Sequence, residues 1–345
     1  MRDDEQPGHS SSLTWAVASG QDVAVEQAAS SGGANRRSRS LLIGIGACAL
    51  TVVVVYLAMV STAWGHQFDN DAYFGRSVVG RRFVTTEGDL LGHVTAAVLL
   101  IALIALVAIS AVRRIVAVGV IAAGSVIAAL VGVEVLKRTL PWHELVASDS
   151  LLHASLQRDT YPSGHTTIGT SLALAALFIC PARWRWWAAV AAGIFVVAFA
   201  TGVVFAGWHR PSDAIGGICW SGVVVGAAAF VAMRAIPTTK GAAETPDTEN
   251  RRSRWLSVTA ATVVYVGIIS LAVVAKDDLP DADRPFVIAA AVIVATAFAV
   301  PSWFATSLSG VEWAPASGRS SGSLEVLQAQ RRIPGDTSDT PTPSQ

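Results

Sequence analysis

Tyr161-Pro162-Ser163-Gly164-His165 stands directly before an apolar stretch that reads as a helix. Serine is a favoured helix N-cap, and glycine lets backbone approach a ligand closely. The first turn of a helix offers free N–H groups and a partial positive charge, an arrangement suited to a phosphate. His165 would sit on that first turn, within reach of the anion. The same residues equally suit an ordinary start to a membrane helix with an interfacial histidine. Farther along, Gly207-Trp208-His209-Arg210-Pro211-Ser212-Asp213 places a carboxylate four residues after a histidine. The two share one face if the helix begins near Pro211. A carboxylate behind an imidazole fixes its tautomer and stabilises its cation, which is the logic of an activated nucleophile or base. A surface loop with a capping Asp213 is the plainer alternative. A third basic element, Lys137-Arg138, has Glu134 one turn before it as a partner for Lys137. Basic residues that snorkel at a helix end have the same appearance.

These segments need a scaffold, and composition indicates its kind. Of 345 residues, 52% are hydrophobic and only 14% charged, against roughly a quarter charged in soluble globular domains. The apolar residues form blocks of roughly 20, the length that spans a bilayer's hydrocarbon core in helical form. Eight spans are expected, at 41–63, 90–112, 115–136, 165–182, 186–207, 213–233, 255–275 and 286–306. The expected fold is therefore an all-α, polytopic membrane helical bundle. Residues 1–39 and 307–345 are polar and read as disordered tails, and 237–254 as a linker. The net charge of zero argues against a nucleic-acid partner. The three cysteines lie in or beside apolar blocks and suggest neither a disulfide framework nor a metal site.

Paired basic residues in short connectors, Arg113-Arg114 and Arg183/Arg185, place those connectors in the cytoplasm by the positive-inside rule. Trp184, Trp186 and Trp187 fit an aromatic belt at that surface. Both termini are then cytoplasmic. Lys137, Ser163–His165 and His209–Asp213 all meet the outer surface of the cell membrane. Residues 64–89 read as a solvated outer loop, in which His66, Tyr73, Arg76, Arg81 and Arg82 are candidates for contact with a headgroup.

Together these residues resemble the type 2 phosphatidic acid phosphatase (PAP2) family, whose helical core is shared with vanadium haloperoxidases. The family pattern is a Lys followed by Arg-Pro, then Pro-Ser-Gly-His, then Ser-Arg, five residues, His, three residues and Asp. Pro162-Ser163-Gly164-His165 matches the second motif in full, His209 and Asp213 match the end of the third, and Lys137 the start of the first. The resemblance covers residues 41–235, a six-span core within a region delimited as 40–236, with two extra helices at 255–306. It implies an integral membrane lipid-phosphate phosphatase, acting on a phosphatidate or polyprenyl phosphate type of substrate. His209 would attack phosphorus and form a phosphohistidine, Asp213 would orient it, and His165 would protonate the leaving lipid oxygen and then help activate water. Lys137, Ser163 and the Gly164 amide would hold the phosphoryl oxygens. No metal or cofactor is expected, because cations and backbone dipoles supply the charge stabilisation.

Two departures stand out. Trp142-His143 replaces the first motif's Arg-Pro, and Val203 stands where the third motif has Arg. Arginine is the preferred residue for bidentate phosphate recognition. Arg138 and Arg158 are the expected substitutes, with Arg210 a weaker one because it follows the nucleophile directly and could point away. A phosphotransferase of the same fold, or a non-catalytic lipid-binding scaffold, are the alternatives that the sequence leaves open.

Overall fold

The computed structural model describes residues 35–76, 96–141, 160–238 and 283–315. It is all-helical among the described residues apart from one isolated bridge between Thr238 and Trp313. Helix α1 runs over Asn35–Val60, its last turn, Tyr56–Val60, widened to a π-turn. It is followed by α2 (Ala63–Gly75), α3 (Ala96–Val112), α4 (Val116–Thr139), α5 (Gly164–Ile179), α6 (Arg185–Phe205), α7 (Pro211–Ala235) and α8 (Arg284–Ser307).

Among the described residues, five helices are long and apolar enough to cross a membrane: α1, α4, α6 with its leading 3₁₀ turn, α7 and α8. These coincide with five of the eight expected spans. Helices α3 and α5 are apolar but have only 17 and 16 residues. At about 1.5 Å per residue, α5 is about 24 Å long, short of the roughly 30 Å hydrocarbon core. Its length is set by Ser163, which caps its start, and by Pro181 just beyond its end. The segment 255–275, read as a span, lies outside the described residues.

Helix α7 is the centre of the bundle and packs on α4, α5, α6 and α8. Small residues make this possible, as is common where helices meet in membranes. A Cβ on Gly216 would come within 2.4 Å of the Tyr161 ring, and one on Gly217 within 2.8 Å of the Ser163 carbonyl oxygen. The two glycines thus let the segment ahead of α5 lie directly against α7. Apolar side chains turn the other way as well: Ile101, Val131, Ile194 and Trp187 are exposed on the bundle's surface, as a lipid solvent allows.

The end of the bundle away from α2 is closed by basic side chains and helix-end carbonyls. The buried Arg185 donates to the carbonyls of Cys180 (2.6 Å), Val311 (3.1 Å) and Leu308. It thereby satisfies acceptors that a helix C-terminus leaves open. Trp313 donates from Nε1 to the Phe178 carbonyl at 3.0 Å. Leu308, Val311 and Trp313, the first residues of the segment read as a tail, are buried here.

The helix-packing account predicts that Gly216→Ala, which adds one methyl group against Tyr161, lowers unfolding stability by about 1–3 kcal/mol. Thermal unfolding in detergent should show a reduced midpoint, and an unchanged midpoint would mean that the contact is not tight.

Candidate active site

The segment 160–167 is held from both sides before α5 begins. The Tyr161–Pro162 peptide is cis, and the buried Tyr161 donates its hydroxyl to the Val52 carbonyl of α1 at 2.7 Å. The Ser163 amide donates to the Asp213 carbonyl at 2.9 Å, which fastens α5's start to α7. Ser163 Oγ accepts from the Thr166 amide at 3.3 Å as the N-cap, and the Ser163 carbonyl accepts from the Thr167 amide at 3.1 Å. An α-helix leaves its first N–H groups without intrahelical acceptors. With the Thr166 and Thr167 amides taken, those of Gly164 and His165 are the ones directed out of the helix end. Lys137 Nζ lies 3.6 Å from where a Cβ on Gly164 would be. It is paired with Glu134 at 3.5 Å, one turn earlier on α4. An ammonium group and a helix N-terminus thus meet at one point, a setting for an anion.

His209 approaches the same place from the α6–α7 connection. Gly207 adopts a φ of +72°, the left-handed region that glycine enters without strain. The chain then folds back so that the amides of Trp208 and His209 both donate to the Val203 carbonyl, at 3.0 and 3.3 Å. The Trp208 ring packs on the His165 ring with centroids 5.1 Å apart. His165 lies near enough to His209 and Lys137 to feel the charge of both. Pro211 starts α7, so His209 and Asp213 share a face, and His209 Nδ1 meets Asp213 Oδ2 at 3.1 Å. The same oxygen accepts from the Arg210 amide at 3.1 Å and from the Thr160 hydroxyl. With Nδ1 donating to the carboxylate, the imidazole lone pair resides on Nε2. That is the arrangement of an oriented nucleophile or base.

Helix α2 forms a further wall. Its Asp69 accepts from the Ser212 amide at 3.1 Å and from the Ser212 hydroxyl. Asn70 Oδ1 accepts from Arg210 Nε at 2.8 Å, and the Tyr73 hydroxyl donates to the Gly207 carbonyl at 3.2 Å. A small polar cavity lies between α2 and α7, lined by His66, Asp69, Thr160, Arg210, Ser212 and Asp213 among others. Burial, reinforced by the negative charge of Asp213, pushes the Asp69 carboxyl up to about 7, against the opposing hydrogen bonds from Ser212 and the charge of Arg210. Burial also lowers His66, with the Arg210 cation acting in the same direction.

The structure therefore gathers Lys137, Ser163, Gly164, His165, His209 and Asp213 at one end of the bundle. It does not gather the expected substitute cation Arg138, which is exposed and makes no hydrogen bond or ion pair among the described residues. Successive residues of a helix point about 100° apart, so Lys137 and Arg138 do not both face α5. Arg158, Trp142 and His143 lie outside the described residues. Val203 is fully buried in the apolar core, and only its carbonyl serves the site. The solvated-loop reading of 64–89 is corrected for its first part: 63–75 is helical, and His66 and Tyr73 are buried. Asp69, Asn70 and Thr160 were not singled out by sequence, and Tyr73 was read only as a candidate headgroup contact. The signal available was the run Asp69-Asn70-Asp71 immediately after an apolar span.

Residues 114–238 match the family model of the PAP2 superfamily. They form a PAP2 superfamily domain. No curated protein and no solved structure matches the chain. The PAP2 domain runs from the α3–α4 turn to the end of α7, so it contains Lys137, Ser163–His165, His209 and Asp213. Helices α1 and α2 precede it, although the resemblance was traced from residue 41.

A carboxyl whose folded value stands above its unfolded value of 3.8 binds its proton more tightly when folded. Asp69 then costs stability progressively as pH rises from about 4 to about 7, with the full cost above that. Asp69→Asn is expected to flatten this part of the stability–pH curve. Unfolding followed in detergent between pH 4.5 and 8 measures it, and identical curves for the two proteins would contradict the assignment.

Proposed function

We propose that the protein is an integral membrane phosphatase. It hydrolyses a phosphomonoester or pyrophosphate of a lipid, of the phosphatidate or polyprenyl phosphate type, through a phosphohistidine. The observation that carries this reading is the His209–Asp213 pair beside a helix N-terminus that is joined by Lys137. In the first step, His209 Nε2 forms a bond to phosphorus while the phosphorus–oxygen bond to the lipid breaks. His165, as the imidazolium, gives its proton to the departing lipid oxygen. Neutral His165 then takes a proton from water, whose oxygen attacks phosphorus. The phosphorus–nitrogen bond breaks, inorganic phosphate leaves, and His209 is regenerated. Asp213 holds His209 by Nδ1 throughout. Lys137, Ser163 and the Gly164 and His165 amides stabilise the charge that develops on the phosphoryl oxygens.

PAP2 superfamily membership supports phosphatase chemistry, and the apolar bundle surface supports a substrate delivered from the bilayer. For orientation, Arg113, Arg183, Arg185 and Arg234 lie at the end opposite the site, which favours that end as cytoplasmic and the site as facing outside. Trp64, 71% exposed on α2, supplies an indole suited to headgroup depth at the site end.

Purified protein in detergent should release inorganic phosphate from short-chain phosphatidate or a polyprenyl phosphate. His209→Ala should release none. Lys137→Ala should lose roughly 10²–10³ in kcat/KM, the scale of removing one transition-state charge contact. Equal inactivity of the wild type and His209→Ala over a broad lipid-phosphate panel would overturn the proposal. Product formation that depends on an added alcohol would make the protein a phosphotransferase instead.

A further inference from the structure

Helix α2 lies outside the PAP2 domain, yet it grips the start of α7 at two adjacent points. Ser212 gives both its amide and its hydroxyl to Asp69, and Arg210 gives its Nε–H to Asn70. All four residues are buried. Ser212 and Arg210 flank Pro211, and the three occupy the whole interval between His209 and Asp213. The α7 N-terminus is thus capped by two carboxylates from different helices: Asp213 takes the Arg210 amide and Asp69 takes the Ser212 amide. Tyr73, one turn farther along α2, adds a third hold through the Gly207 carbonyl on the other side of His209.

We infer that Asp69 and Asn70 are positioning residues for the reaction at His209. They fix the His209–Asp213 geometry from behind and touch neither substrate nor reacting atoms. The inference rests on the reading of His209 as nucleophile. Removing Asp69 leaves two buried donors of Ser212 without acceptors, and the first turn of α7 must shift or admit water to satisfy them. A shift of about 1 Å in a reacting group costs on the order of a hundredfold in rate. The polar groups that face Asp69 are Ser212, Arg210 and Asp213 from α7 and its lead-in, His66 from its own helix, and Thr160 and Tyr161 from the segment before α5.

The test uses full-length protein in detergent, with dioctanoyl phosphatidate as probe. Asp69→Ala and Asn70→Ala are expected to lower kcat by about 10- to 100-fold with KM within about twofold. Asp69→Asn retains an acceptor for the Ser212 amide and is expected to restore kcat to within about threefold of wild type. Should Asp69→Ala not fold, Ser212→Ala, which removes only the hydroxyl contact, must still lower kcat. A second readout needs no turnover: the downfield Nδ1–H proton resonance of His209, assigned by its loss in His209→Ala. It should be present in wild type and Asp69→Asn, and broadened or lost in folded Asp69→Ala and Asn70→Ala. Wild-type kcat and an unchanged resonance in those alanine variants would overturn the inference. A wild type inactive on every lipid phosphate would sink the phosphatase reading alone, and the resonance would still decide the role of α2.

Discussion

One carboxylate oxygen, Asp213 Oδ2, accepts from His209 Nδ1, the Arg210 amide and the Thr160 hydroxyl. These donors come from His209, from the cap of α7 and from the segment that leads into α5. The arrangement makes orientation of the imidazole inseparable from formation of two helix starts. The Asp213 main chain adds to it by accepting the Ser163 amide, so the N-terminal end of α5 is fixed to the same residue. Loss of this carboxylate would leave several buried donors unpaired at once, a larger cost than loss of any single contact.

The rest of the bundle follows from bringing two helix N-termini this close. Gly216 and Gly217 remove side chains from the face of α7 that meets Tyr161 and Ser163. Gly207 supplies the left-handed turn that reverses the chain after α6. Val203 packs into the core, and its carbonyl receives two amides of the reversal. An arginine side chain at this buried position would have to leave the core to reach the site. Among the described residues, Lys137 is the cation at the start of α5, and Arg210 is turned toward Asn70 on α2.

The parts legible in the sequence are those that local chemistry dictates. Ser163 before a run of helix formers and Pro211 at the first helical position mark two helix starts, and the structure begins α5 and α7 there. The spacing of Glu134 and Lys137 reads directly as an i,i+3 pair, found at 3.5 Å. Helix α2 was illegible because it inverts the usual pattern. Asp69, Asn70 and Tyr73 turn inward to meet α7 and the Gly207 reversal, while Trp64 faces outward. Hydropathy sees such a segment as a polar loop, since the partners of its polar groups lie some 140 residues away. Arg138, next to Lys137 on the same helix, is exposed, a placement set by helical geometry that charge counting does not consult. The apolar block at α5 is shorter than composition alone would draw it, because Ser163 caps its start and Pro181 follows its end.

The central claim is that His209 Nε2 becomes covalently phosphorylated while Asp213 holds Nδ1. The most direct measurement is to mix the purified protein with short-chain phosphatidate labelled with ³²P in the phosphate, and to quench in alkali within milliseconds. Mapping of the labelled peptide then locates the phosphoryl group. The account predicts an acid-labile, alkali-stable label on His209 alone, absent from His209→Ala. A label on another residue, or turnover by the wild type that persists in His209→Ala, would contradict it.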